Sequence, residues 1–106
     1  MLMERIAFVM QLHAGCEAEY RRRHASVWPE LAELLRGIGV REYSIFLEER
    51  TLQLFAVLSI DDATKLDGLA VQPVMQRWWD HMKDIMDTNP DHSPVVAGLK
   101  EVFYLP

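Results

Sequence analysis

Tyr20 and His24 are four residues apart and stand on one side of any helix that contains them. A phenol and an imidazole so placed can donate, accept and pass on protons. The imidazole is the more telling of the two, because its ordinary pKa of about 6.5 lies close to neutrality. The same side continues as an apolar stripe of Val27, Trp28, Leu31, Leu34, Leu35 and Ile38 at helical spacing. The pair therefore points inward, where a polar group either satisfies itself against the fold or faces a pocket. A lone histidine on an apolar face is more often structural, so the pocket reading needs support from elsewhere in the chain.

Trp78-Trp79 supplies some. Adjacent helical residues point about 100° apart, so one indole should anchor the core and leave the other at a margin or pocket wall. Tryptophan offers a flat apolar face beside an N–H donor, which suits sugars and other amphipathic ligands. The other histidines carry less. His13 and His92 fall in expected loops and His81 lies off the stripe, so all three should be solvated. No HExxH, H-x-E or close histidine pair suggests a metal site. There is no Gly-rich phosphate loop, G-x-S-x-G elbow or carboxylate pair, so nothing points to a nucleotide or flavin.

Composition narrows the setting. The 106 residues fit one domain spanning the whole chain, 1–106. A net charge of −5 argues against nucleic acid, which requires clustered Lys and Arg. The one basic run, Arg21-Arg22-Arg23, is expected to form the solvated back of its helix. Cys16 stands alone, which excludes an intrachain disulfide and a thiolate cluster. No basic start leads into an apolar leader, and no apolar run is long enough to span a bilayer. A cytoplasmic protein without a membrane partner is the expectation.

The elements that must position these groups follow from pattern. Ile6 to Gln11 is expected as a strand. A helix should run from Cys16 to Ile38, kinked or restarted at Pro29 and stopped by Gly37 or Gly39. Val40–Leu47 and Thr51–Ile60 form a hairpin across Glu48-Glu49-Arg50. Asp61 should cap a short helix to Leu69. Pro73 should open another to Met86, whose face is Met75, Trp78, Trp79, Met82, Ile85 and Met86. Asp87 to Gly98 is expected as loop and Leu99 to Leu105 as the last strand. This order is β-α-β-β-α-β, an α+β, ferredoxin-like domain. Its third strand is apolar on both faces, Leu54, Ala56 and Leu58 on one and Phe55 and Val57 on the other. The face without helices should therefore pack on a second copy, making a dimeric α/β barrel.

Taken together, several segments closely resemble the L-rhamnose mutarotases. They are Ala7-Phe8-Val9-Met10-Gln11, the stretch Tyr20 to Leu31 with Arg22-Arg23-His24 and Trp28-Pro29-Glu30-Leu31, and Gln76-Arg77-Trp78-Trp79. Asn89-Pro90-Asp91 with Ser93-Pro94-Val95, and the ending Glu101 to Pro106, complete the match. The chain departs from the family pattern in a slightly longer start, Met1-Leu2-Met3. The resemblance implies a homodimer that interconverts the α and β anomers of L-rhamnose in rhamnose catabolism, without cofactor or metal. It also implies that His24 is the proton donor and that Tyr20, Tyr43, Trp78 and Trp79 bind the sugar. If His24 acts as an acid, activity should fall as pH rises through its pKa. Two rivals share the fold expectation: a cofactor-free monooxygenase and a small-ligand-binding dimeric domain. Fold alone does not separate them.

Overall fold

A computed structural model describes residues 3–106; Met1 and Leu2, the beginning of the extended start, lie outside the described residues. The elements are β1 (Glu4–Gln11), α1 (Glu17–Ala25), α2 (Pro29–Gly37), β2 (Arg41–Glu48) and β3 (Gln53–Ile60). A run of 3-10 turns (Ala63–Val71), α3 (Pro73–Met82) and β4 (Ala97–Leu99) complete the chain. The four strands form one sheet in the order β2-β3-β1-β4, antiparallel throughout. That is the ferredoxin-like α+β arrangement.

Pro29 divides the expected long helix completely. It occupies the first turn of α2, where its missing N–H has no partner to lose. Trp28 before it is extended, with φ −63° and ψ 131°. The apolar stripe breaks with the helix, and Val27 is exposed in the gap. Leu31 is buried beneath α2, whereas Tyr20 is the one buried residue of α1. The acidic residues Glu17 and Glu19 at the start of α1, and Arg22, Arg23 and His24 at its end, match the helix dipole.

The sheet's parity decides which residues meet the helices. Leu54, Ala56, Leu58 and Ile60 of β3 are buried beneath them. Register then places Val9, Phe46, Phe55 and Val57 on the opposite face, with Leu99 of β4. Phe46, Val57 and Leu99 are exposed there. The alternation is apolar on both sides, as the sequence suggests. One irregularity interrupts β2: Glu42, at φ 52°, is an extra residue between Arg41 and Ser44. The bulge is absorbed before Tyr43, which therefore shares the helix-side parity of Ile45.

Three boundaries differ from expectation. Asp62 rather than Asp61 caps the 3-10 segment, its Oδ1 accepting from the Thr64 N–H at 3.0 Å. Asp61 is engaged elsewhere, accepting from Lys65 Nζ at 3.1 Å and from the Asp62 N–H at 3.0 Å. α3 stops at Met82, a turn early, although Ile85 and Met86 stay buried beyond it. The last strand is Ala97–Leu99, not Leu99–Leu105. Ala7 lies opposite Leu99, so the same register would bring Val102 opposite Glu4, where β1 begins. Residues beyond it have no strand to pair with. Val102, Phe103, Tyr104 and Leu105 are all exposed. Arg5 tethers this tail, donating to Glu101 at 2.9 Å and lying 3.9 Å over the Tyr104 ring.

Gly39 joins α2 to β2 at φ +104°, where a Cβ would come within 2.5 Å of Asp61 Oδ1. Gly39→Ala should cost about 2 kcal/mol, lowering the melting temperature by roughly 10 °C. Gly68→Ala, with nothing within 4 Å, should be close to neutral. Equal melting temperatures for the two variants would contradict the strain.

Candidate active site

The pocket starts from α1. Tyr20 and His24 stack, their ring centroids 4.2 Å apart and tilted by 25°. His24 Nδ1 lies 3.1 Å from the Tyr20 carbonyl oxygen. A carbonyl only accepts, so Nδ1 carries the hydrogen and the lone pair of the neutral ring is on Nε2. Trp78 of α3 meets the imidazole edge-on at 5.4 Å, and Trp28 meets Trp78 in the same way at 5.1 Å. Each such contact contributes about 0.5–1.5 kcal/mol beyond burial. Two aromatic neighbours therefore hold the imidazole in one orientation.

Around this pair lies a cavity of about 70 Å³ between the sheet and the helices. Tyr20, His24, Tyr43, Trp78 and Trp79 all line it. Trp78 is buried and Trp79 half-buried, the division expected for neighbouring indoles on one helix. Met10, Met75, Met82 and Met86 form much of the remaining wall, with Ile45 and Pro94. The sequence does not single these out as lining. Met75, Met82 and Met86 were legible only as a buried helical stripe, and Pro94 only as part of a loop. Tyr43 carries no periodic signal either; the family resemblance alone names it.

Burial sets the protonation states. Desolvation lowers the His24 pKa below its ordinary value, and the Tyr20 carbonyl opposes this only in part. Desolvation pushes the Tyr43 phenol up to about 12, although the residue as a whole is more than a third exposed. Tyr20 is raised as well, by burial first and by Tyr43 second. Near neutral pH the pocket thus presents two phenol donors and a mainly neutral imidazole. Among the described residues, no carboxylate lines it, and no three His, Cys, Asp or Glu side chains come together as a metal site.

The basic run corrects one expectation. Arg21 and Arg22 are exposed, but the Arg23 side chain is only 10% exposed and reaches Glu19 and Asp84. Paired carboxylates make that burial tolerable. His13 and His92 are partly solvated as expected, lying 2.9 Å from Asp87 and 3.2 Å from Asp80 respectively. His81 is exposed, its ring 5.5 Å from that of Trp28.

A ferredoxin-like domain that keeps one imidazole among aromatic and methionine side chains has the form of a small-molecule site. Sequence comparison narrows that class. The model of the family described as L-rhamnose mutarotase matches residues 5–105. An L-rhamnose mutarotase of Opitutus terrae is 54% identical over 103 residues, 97% of this chain and 99% of its own length. One from Leptothrix cholodnii is 55% identical over 105 residues, 99% of each chain. The crystal structure of L-rhamnose mutarotase from Formosa agariphila superposes with a TM-score of 0.91 at 47% identity, covering 97% of this chain and 99% of that one. A dimeric ferredoxin-like protein of unknown function from Jannaschia shares the fold alone, with a TM-score of 0.59 at 20% identity. The chain belongs to the L-rhamnose mutarotase family, whose members are isomerases.

The environment of His24 can be read directly. Its C2–H resonance, followed by NMR against pH, should titrate with a midpoint below the ordinary value of about 6.5. A midpoint at or above that value would contradict the buried, carbonyl-anchored ring.

Proposed function

We propose that this single domain, 1–106, interconverts the α and β anomers of L-rhamnose by opening and reclosing the sugar ring. It does so as a homodimer in the cytoplasm, in rhamnose catabolism. Family membership across nearly the whole chain carries the substrate, and the anchored imidazole in a phenol-bearing pocket carries the chemistry. Tyr20, Tyr43, Trp78 and Trp79 bind the sugar. Indole faces take its C–H surfaces, and the polarizable methionines suit its methyl group.

Ring opening breaks the C1–O5 bond, removes a proton from the anomeric hydroxyl and delivers one to O5. With Nδ1 committed to the Tyr20 carbonyl, Nε2 is the nitrogen left for substrate. Among the described residues no carboxylate lines the pocket, and both phenols hold their protons. Neutral His24 is therefore the group able to take the anomeric proton. A phenol steadies O5 with a hydrogen bond. The resulting imidazolium then gives its proton to O5, which is the donor role that the family resemblance implies. The free aldehyde rotates about C1–C2 and the steps reverse on the other face. Positioned groups of this kind accelerate proton transfer by about 10²- to 10⁴-fold.

A His24 that must first accept a proton reverses the pH slope expected of an acid alone. Activity should rise with pH through the lowered His24 pKa and level off by neutrality. Magnetisation-transfer NMR on L-rhamnose should show exchange well above the buffer rate, unchanged by EDTA. Equal rates with and without protein would refute the activity, and a rate falling from pH 5 to pH 7 would refute the order of proton transfers.

The dimer rests on the second sheet face. Phe46 is 64% exposed and Leu99 47% exposed, and an apolar surface of this kind on a small domain indicates a partner. A second copy brings the matching surface. Val57→Lys would place an unpaired charge in that interface. Light scattering should show a dimer for the parent chain and a monomer for the variant; a monomeric parent would contradict the arrangement.

A further inference from the structure

The helix that carries His24 has almost no apolar means of holding its position. Its sequence is EAEYRRRHA, and Tyr20 is its one buried residue. Helices usually take their place by packing an apolar stripe, and α1 has none. Arg23 supplies a restraint of another kind. Its Nε donates to Glu19 Oε2 at 2.7 Å, one turn back on the same helix. Nη1 donates to the His81 carbonyl at 2.6 Å and to Asp84 Oδ1 at 2.8 Å, and Nη2 donates to Asp84 Oδ2 at 3.2 Å. His81 lies in the last turn of α3 and Asp84 just past its end. Carbonyls at a helix C-terminus lack intrahelical partners and carry partial negative charge, so the guanidinium also caps α3. One side chain thus ties the end of α1 to the end of α3, at the residue adjacent to His24.

We infer that Arg23 is a positioning residue: by clamping α1 to α3 it sets the seat of His24 against Trp78. The inference rests on the proposal that His24 transfers the proton. It concerns a residue that does not line the pocket. A planar fork holds its three partners in fixed directions from separate nitrogens, a spread that the single nitrogen of an ammonium does not reproduce. Arg23→Lys therefore keeps the charge and loses the geometry. Misplacing a reacting group by about 1 Å can reduce turnover by about 10²-fold.

The test compares Arg23→Lys and Asp84→Asn with the parent chain in melting temperature, kcat and KM on L-rhamnose, and the NMR titration of His24. The ring's close neighbours are uncharged: Tyr20 from α1 and Trp78 from α3, with Tyr43 of β2 lining the same pocket. The charges in play are Arg23, Glu19 and Asp84. Arg23→Lys should lower kcat at least tenfold and change KM less than threefold, while the His24 midpoint moves up toward its ordinary value as water enters. Asp84→Asn leaves the Glu19 and His81 contacts in place and should lower kcat by about threefold, again with an upward midpoint. Loss of a carboxylate alone would move that midpoint down, so the direction separates geometry from charge. If Arg23→Lys does not fold, Asp84→Asn carries the test. Folded variants with a lower melting temperature but parental kcat and His24 midpoint would overturn the inference and leave Arg23 a structural residue. The titration needs no substrate, so a parent chain inactive on L-rhamnose would refute the proposed function, while an upward His24 midpoint in both variants would still support the clamp and a parental midpoint would overturn it.

Discussion

Everything chemical in this molecule depends on the attachment of α1, a polar helix held by one stacked ring and one guanidinium fork. Tyr20 enters the core and supports the His24 ring from one side, while Trp78 closes on its edge. The Tyr20 carbonyl then fixes which ring nitrogen bears the hydrogen. A helix with a full apolar stripe would bury its histidine deeper. A helix without Tyr20 and Arg23 would have little to hold it against α3. The observed compromise leaves an imidazole that is partly desolvated yet still open to a ligand.

Pro29 makes that compromise possible. By ending α1 at Ala25 it lets α2 take its own direction and bury Leu31. The break also frees Trp28 to pack edge-on against Trp78 and support the indole that faces His24. Sheet parity performs the matching task from below. Met10 of β1 points toward the helices through its pairing with Leu54, and Tyr43 shares the side of Ile45 because the extra residue of β2 is absorbed at Glu42. The opposite parity leaves Phe46, Val57 and Leu99 uncovered, so the same alternation that builds the pocket also builds the proposed interface.

Features set by local chemistry were legible in the sequence. The element order follows from apolar period and from Pro29, Pro73, Gly37 and Gly39, and the Tyr20–His24 pairing follows from a spacing of four. Features set by tertiary partners were not. Arg23 reads as solvent-facing because its carboxylate Asp84 is 61 residues away. Asp61 reads as a cap because its place beside the Gly39 turn is set by tertiary structure, although its partner Lys65 is only four residues on. The last strand starts at Ala97 and stops at Leu99, opposite Ala7, a register with β1 that its own residues do not announce. Tyr43 sits in an ordinary strand pattern, and only its parity after the bulge brings it to the pocket.

The central claim is that His24 moves the proton and does not merely complete the core. Melting temperature and anomer exchange measured on one sample of His24→Ala test it directly. The account predicts that exchange falls nearly to the buffer rate while the melting temperature drops only modestly, since the ring lies at a pocket rather than filling a sealed core. A sharp fall in melting temperature, with the remaining folded protein exchanging anomers at the parental rate, would contradict it.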